Sequence, residues 1–133
     1  MKKILLILIP LIYILGSCND SDKLDKSDPL ASGRGFIEAS LKGDYVKAQK
    51  YILPDSTNME YLSTLREFNN KRTPLERENY RDANIIIDST QSLSDSVTII
   101  TYSNTYKNQP AKLKVVRHNN EWLVDFKYTL NGN

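Results

Sequence analysis

The apolar positions of the chain follow three spacings in turn. Ile4 to Leu15 is an almost unbroken apolar run, interrupted by Pro10 and the hydroxyl of Tyr13. From Asp28 to Tyr80 the apolar residues recur every third or fourth position, the period of a helix with one buried face. From Tyr80 to Tyr128 the period falls to two and β-branched residues dominate, as in strands. Helices followed by an antiparallel meander predict an α+β domain: N-terminal helices packed on one face of a four-stranded antiparallel sheet.

The punctuation between these runs sets the helix ends. Asp28-Pro29 reads as an N-cap followed by proline at the first helical position. Leu30, Ile37 and Leu41 then share a face, and Gly43 supplies the stop. Asp44 caps a short second helix that carries Tyr45, Val46, Ala48, Tyr51 and Ile52. Pro54 ends it, because its ring disfavours helix in the residue before it. Asp55 and Ser56 offer a third cap, ahead of the Met59, Leu62, Leu65 and Phe68 repeat. Thr73-Pro74-Leu75-Glu76 looks like a capping box that opens one more turn, ending near Tyr80. Every apolar residue here is expected in the core. Gly33 and Gly35 stand inside the first helix, where each costs about 1 kcal/mol. They either permit close packing or loosen that turn.

The strands are expected at Ala83–Thr90, Val97–Lys107, Ala111–Arg117 and Glu121–Tyr128. Gln91–Asp95, Asn108-Gln109-Pro110 and Asn119-Asn120 are the turns. Ile85-Ile86-Ile87 suggests burial on both faces of the first strand. A two-residue turn at Asn119-Asn120 sets Val115 opposite Val124, Leu113 opposite Phe126, and Arg117 opposite Trp122. The other face then holds Lys114 opposite Asp125 and Val116 opposite Leu123. Pairing Lys107 with Pro110 adds Ile100, Tyr102, Asn104 and Tyr106 to the Leu113 face. That face is apolar and aromatic, and its reverse is more polar.

Composition and charge change the picture at the N-terminus. The chain has 133 residues. Lys2-Lys3 precedes the Ile4–Leu15 run, and twelve residues of helix rise only about 18 Å, too short for roughly 30 Å of hydrocarbon. That is the shape of a signal peptide, with Gly16 and Ser17 as the small residues before the cut. Losing residues 1–17 removes Lys2 and Lys3, so 18 basic against 16 acidic residues become 16 against 16. A neutral domain has no field to gather nucleic acid, and no nucleic-acid partner is expected. Cys18 is the only cysteine, which excludes an internal disulfide and leaves a free thiol, an intermolecular bridge or lipidation. Leu15-Gly16-Ser17-Cys18 resembles the lipobox of bacterial lipoproteins, which implies lipidation of Cys18 and a membrane anchor of several acyl chains. Asn19 to Ser27 is polar and acidic and reads as a flexible tether. Asp20 and Asp22 resemble the acidic export signals of Bacteroidota surface lipoproteins, so the periplasmic side and the cell surface both stay open. Residues 1–17 are thus expected as signal peptide, 18–28 as lipidated Cys and tether, and 29–130 as the folded domain.

Candidate chemistry is sparse. His118 sits beside a hairpin turn, where nothing orients it or excludes water. One His and one Cys exclude an ordinary zinc site, and no metal or cofactor is expected. Asp125 faces Lys114, which suits a structural pair better than a general base; Asp88 and Glu121 sit near strand ends. There is no Gly-x-Ser-x-Gly elbow, and Gly33-Arg34-Gly35 falls within a helical pattern. Tyr102, Asn104, Tyr106, Arg117, Trp122, Phe126 and Tyr128 form the candidate ligand pocket, an aromatic set with a few polar groups at one open end. Arg117 beside Trp122 is a candidate cation–π pair.

Phe36-Ile37-Glu38-Ala39-Ser40-Leu41-Lys42-Gly43-Asp44-Tyr45-Val46-Lys47-Ala48 and, at the far end, Asn120-Glu121-Trp122-Leu123-Val124-Asp125 resemble the DUF4878 group of bacterial lipoproteins. These belong to the NTF2-like, cystatin-like superfamily. The resemblance implies a cone: a curved sheet wrapped on a long helix, with a cavity between them. The expectation is a non-enzymatic, lipid-anchored protein of the bacterial cell envelope, most simply of the outer membrane, that binds a small ligand or an envelope protein partner. The alternatives are an inhibitor or immunity-type protein acting through its sheet, and an isomerase or hydratase using Asp125 or Asp88. Monomer and homodimer both remain open.

Overall fold

A computed structural model describes residues 23–131, with the side chains of Leu130 and Asn131 excepted. The leader, Cys18 and the first part of the expected tether lie outside the described residues. The chain forms helix α1 (Pro29–Leu41), α2 (Tyr45–Gln49), α3 (Ser56–Lys71) and α4 (Pro74–Arg81). Strands β1 (Ile85–Ser94), β2 (Val97–Asn104), β3 (Ala111–His118) and β4 (Glu121–Asp125) follow, then helix α5 (Lys127–Asn131). The α+β order is as expected, with one antiparallel sheet in the order β1-β2-β3-β4. The sheet is open and not strongly curled.

The caps account for the helix starts. Asp28 accepts from the Ala31 N–H, Asp44 from Lys47 and Asp55 from Asn58. Thr73 and Glu76 bond reciprocally as a capping box. Each satisfies amide donors that the first turn leaves open. Gly43 takes a left-handed φ of 74°, which a side chain would oppose, and ends α1. The second helix is shorter than expected. Tyr51 and Ile52 leave it to run beside β4: the Val124 N–H donates to the Tyr51 carbonyl and Leu53 N–H donates to Val124. An unpaired edge of β4 competes here with two more helical residues, and the edge wins. Phe68 is 66% exposed, and Val46 and Leu75 are exposed too, against the expectation that all apolar helical residues are core. The helices carry more apolar residues than one sheet face can cover.

Around Asn119-Asn120, Val115 faces Val124, Val116 faces Leu123, Lys114 faces Asp125 and Arg117 faces Trp122, as expected. Both turn residues have positive φ, the primed geometry that suits strand twist. The β2–β3 hairpin differs. Tyr102, not Tyr106, stands opposite Ala111. The β2 strand stops at Asn104 because its side-chain oxygen accepts the N–H groups of Tyr106 and Lys107 and turns the chain there. The slip is four residues, an even number, so Ile100 and Tyr102 keep the Leu113 face. The first hairpin is tighter than expected. Gln91–Ser94 belongs to β1, and only Asp95-Ser96 turns. Ile86 is exposed while Ile85 and Ile87 are half-buried, so this edge strand buries one face only. Bulges interrupt it at Asp88 and Leu93. Lys127 and Tyr128, expected in the last strand, start α5 instead.

The core lies between α1 and the sheet: Phe36, Ile37 and Ala39 meet Ile100, Leu113, Val115, Val124 and Phe126, all nearly inaccessible. The two helical glycines permit close packing. A Cβ on Gly33 would lie 2.5 Å from Ile100 Cδ1, and one on Gly35 would collide with the Tyr51 ring. Of the segment expected as a flexible tether, Lys23–Ser27 is docked. Leu24 packs against the core, Lys26 O accepts the Trp122 N–H, and Lys26 pairs with Glu121 at 3.3 Å. The cause is the outer edge of β4, whose amides need acceptors.

Candidate functional site: a cleft between the helices and the sheet

At the Asn104 end of the sheet the layers do not close. A cavity of about 240 Å³ remains. Phe36, Ile37, Ser40 and Leu41 of α1 form one wall, with Tyr45 and Leu65 beside them; Tyr102, Asn104 and Phe126 form the other. Arg72, Tyr80 and Thr129 complete the lining. The walls are mainly apolar, and Phe36 meets Phe126 with ring centroids 5.2 Å apart.

Few polar groups converge there. Arg72 is the C-cap of α3, in extended conformation, because Thr73 begins the next helix at once. Its guanidinium lies 3.8 Å over the Tyr80 ring, and Nη1 donates to Asn69 Oδ1 at 3.2 Å. Tyr80 in turn meets Tyr106 edge-on at 4.9 Å, and the Lys107 ammonium stands over Tyr106. Burial pushes the Tyr102 phenol up to about 12, because a phenolate there would lose its hydration. Burial also raises the Tyr45 phenol, and the nearby positive charge of Arg72 partly opposes that rise. Thr129 Oγ1 is buried and has no hydrogen-bond partner among the described residues.

The structure gathers three of the seven expected pocket residues in this cleft: Tyr102, Asn104 and Phe126. Asn104 spends its side-chain oxygen on the turn. Tyr106 lies behind Tyr80 and Tyr128 lies in α5, 5.7 Å from the Lys114 ammonium. Trp122 and Arg117 sit at the opposite end of the sheet, where Trp122 is half-buried and Arg117 is exposed. The cation–π contacts of the described residues use Arg72, Lys107 and Lys114, not Arg117. Arg72, Tyr80 and Thr129 were not legible as site residues. Arg72 and Tyr80 flank a capping box, and only the fold of α4 against α3 brings them together.

The acids stand elsewhere. Asp125 is buried and bonded to Lys127 at 2.7 Å, Lys114 at 3.5 Å and the Asn58 amide at 3.2 Å. Two ammonium groups and an amide occupy its oxygens, as in a structural network. Asp88 is exposed at a bulge, and neither acid lines the cleft. His118 is exposed at the hairpin turn beside Asn119. Among the described residues no cluster of His, Cys, Asp or Glu could hold a metal, and no helix is long and apolar enough to cross a membrane. Compared with known protein families and with curated proteins, the chain matches none.

Proposed function

We propose that the chain is a lipid-anchored protein of the bacterial cell envelope whose domain is a non-enzymatic, NTF2-like module of the DUF4878 kind, and that it holds a small ligand in the cleft. The element order and the placement of α1 across the sheet support the family reading, with a cone that is shallow rather than deeply wrapped. The observation that carries the ligand reading is the cleft itself. It is an apolar cavity that retains a buried, unpartnered Thr129 hydroxyl and a cation beside two phenols. Such concave apolar sites with a few polar groups are what small molecules use. The non-enzymatic reading is supported by the position of both candidate acids outside the cleft. The Leu15-Gly16-Ser17-Cys18 tetrad supports the anchor.

A library of small organic compounds, followed by nuclear magnetic resonance, tests the ligand reading. Binders are expected to shift Tyr102, Phe126 and Thr129, and Leu65→Trp is expected to block them by filling the cleft. A library in which no compound moves those signals would overturn the reading. Mass spectrometry of native material is expected to find acyl chains on Cys18. A second reading, an inhibitor-type protein that captures another protein, draws on β1, a ten-residue strand at the open edge of the sheet with most of its residues exposed.

A further inference from the structure

We infer that the cleft selects a small organic anion, an apolar body bearing one carboxylate, and that Arg72 is the residue that selects it. The inference rests on the cleft being a ligand site. Arg72 lines the cleft and makes no ion pair among the described residues. Its guanidinium contacts are neutral: the face of Tyr80 and the side-chain oxygen of Asn69. Stacking engages the guanidinium through its face and leaves N–H edges for a planar, two-oxygen acceptor. Glu76, the nearest acid in sequence, already spends one carboxylate oxygen on the Thr73 N–H and hydroxyl.

The surroundings favour a negative guest. No acidic side chain lines the cleft. Lys107 stands over Tyr106, whose ring meets Tyr80, and the charges of Lys107 and Arg72 both act on Glu76, which lies outside the cleft lining. The field in a partly desolvated site is stronger than at an open surface. Size and polarity then bound the body of the guest. A dry cavity of about 150 Å³ holds benzene, so about 240 Å³ admits one ring with a short acidic side chain. Phe36, Ile37 and Phe126 give that body an apolar wall. A bare inorganic anion would leave this wall unused, and a neutral guest would make no charge-assisted bond to Arg72. Thr129 Oγ1 offers one further hydrogen bond.

The full chain, in a nonionic detergent, is titrated with phenylacetate, phenylacetamide and inorganic phosphate while the Tyr102, Phe126 and Thr129 signals are followed. Phenylacetate is expected to bind about tenfold to a hundredfold more tightly than its neutral amide, the range of a charge-assisted hydrogen bond. Arg72→Gln is expected to erase that preference, and Arg72→Lys to keep part of it, since it retains the charge and loses the fork. Should Arg72→Gln lose its native fold, Arg72→Lys and the salt dependence of the wild type carry the test. Acid and amide binding equally would overturn the role of Arg72 while leaving the cleft a ligand site. Phosphate binding as tightly as phenylacetate would overturn the apolar body. No response to any of these probes, in a chain that binds other neutral compounds there, would overturn the anion preference alone.

Discussion

Where Gly33 lies on Ile100, the helical layer touches the sheet and leaves nothing between them. Ser32 Oγ donates to the Trp122 carbonyl at 2.7 Å, and the Trp122 N–H reaches back to Lys26, so α1, β4 and the incoming chain are laced together. Along β4 from that point, Phe126 borders a cavity instead. The same helix borders both ends. It approaches closely at Gly33 and stands off where it offers Ile37 and Leu41 across from Tyr102. Bulk on both sides, together with Tyr80 and Arg72 stacked at the margin, prevents closure there. The closed end is packed through, and the open end keeps a gap beside core residues such as Phe36 and Phe126.

Substitutions at the two ends should therefore differ in cost. The largest loss is expected from Leu113→Ala, fully buried beneath Gly33: about 3–4 kcal/mol by chemical denaturation, from lost burial and an unfilled cavity. Equal losses at Leu113 and at the half-buried Leu65 of the cleft would break the contrast. Gly33→Ala is expected to cost about 1 kcal/mol net, because the added methyl forces the buried end of Ile100 to shift while alanine itself favours helix by about 1 kcal/mol. A gain in stability would show that α1 does not rest on the sheet there.

A third test concerns the polar network behind the open end. Asp55 sits below the usual carboxylate range because the Asn58 amide, then the Asn58 side chain and Lys127, bond to its charged form. Lys127 sits above the usual lysine range because Asp125, then Asp55, accept from it. The Asp55 contribution is present above its unfolded value near 4 and lost as pH falls through the lower folded value. The Lys127 contribution is present below about 10 and lost as pH rises through the higher folded value. A stability plateau between about pH 5 and pH 10 follows. Asp55→Ala is expected to lower it by about 1 kcal/mol and to flatten its acid limb, read from unfolding midpoints across pH. The smallest effect is expected from Leu65→Phe, within about 1 kcal/mol of wild type, since the cleft has space for the added atoms; Val115→Phe at the closed end should cost more.

Much of the fold was legible because its signals are local. Asp28, Asp44, Asp55 and Thr73 each cap the helix that their position announces, since a cap needs only the amides two or three residues on. The turn at Asn119-Asn120 likewise carries its own register. The β2–β3 register was misplaced by four residues because the Asn104 side chain, and not a neighbouring Pro, decides where that strand stops. The candidate site was legible only where it lies on the strand period, at Tyr102, Asn104 and Phe126. Arg72, Tyr80 and Thr129 come from three separate elements, and no spacing in the chain relates them.

Sequence alone determined the order of the first four helices and the four strands, the starts of those helices and the choice of buried sheet face, because caps and residue alternation act over a few neighbours. Tertiary structure decided the rest. It turned two helical glycines into contact points, drew Tyr51–Leu53 and Lys26 onto the edge of β4, and left the gap beside Arg72. These outcomes depend on which surfaces meet across long stretches of chain. Steric fit and the need to satisfy buried backbone groups settle them only once the layers are assembled.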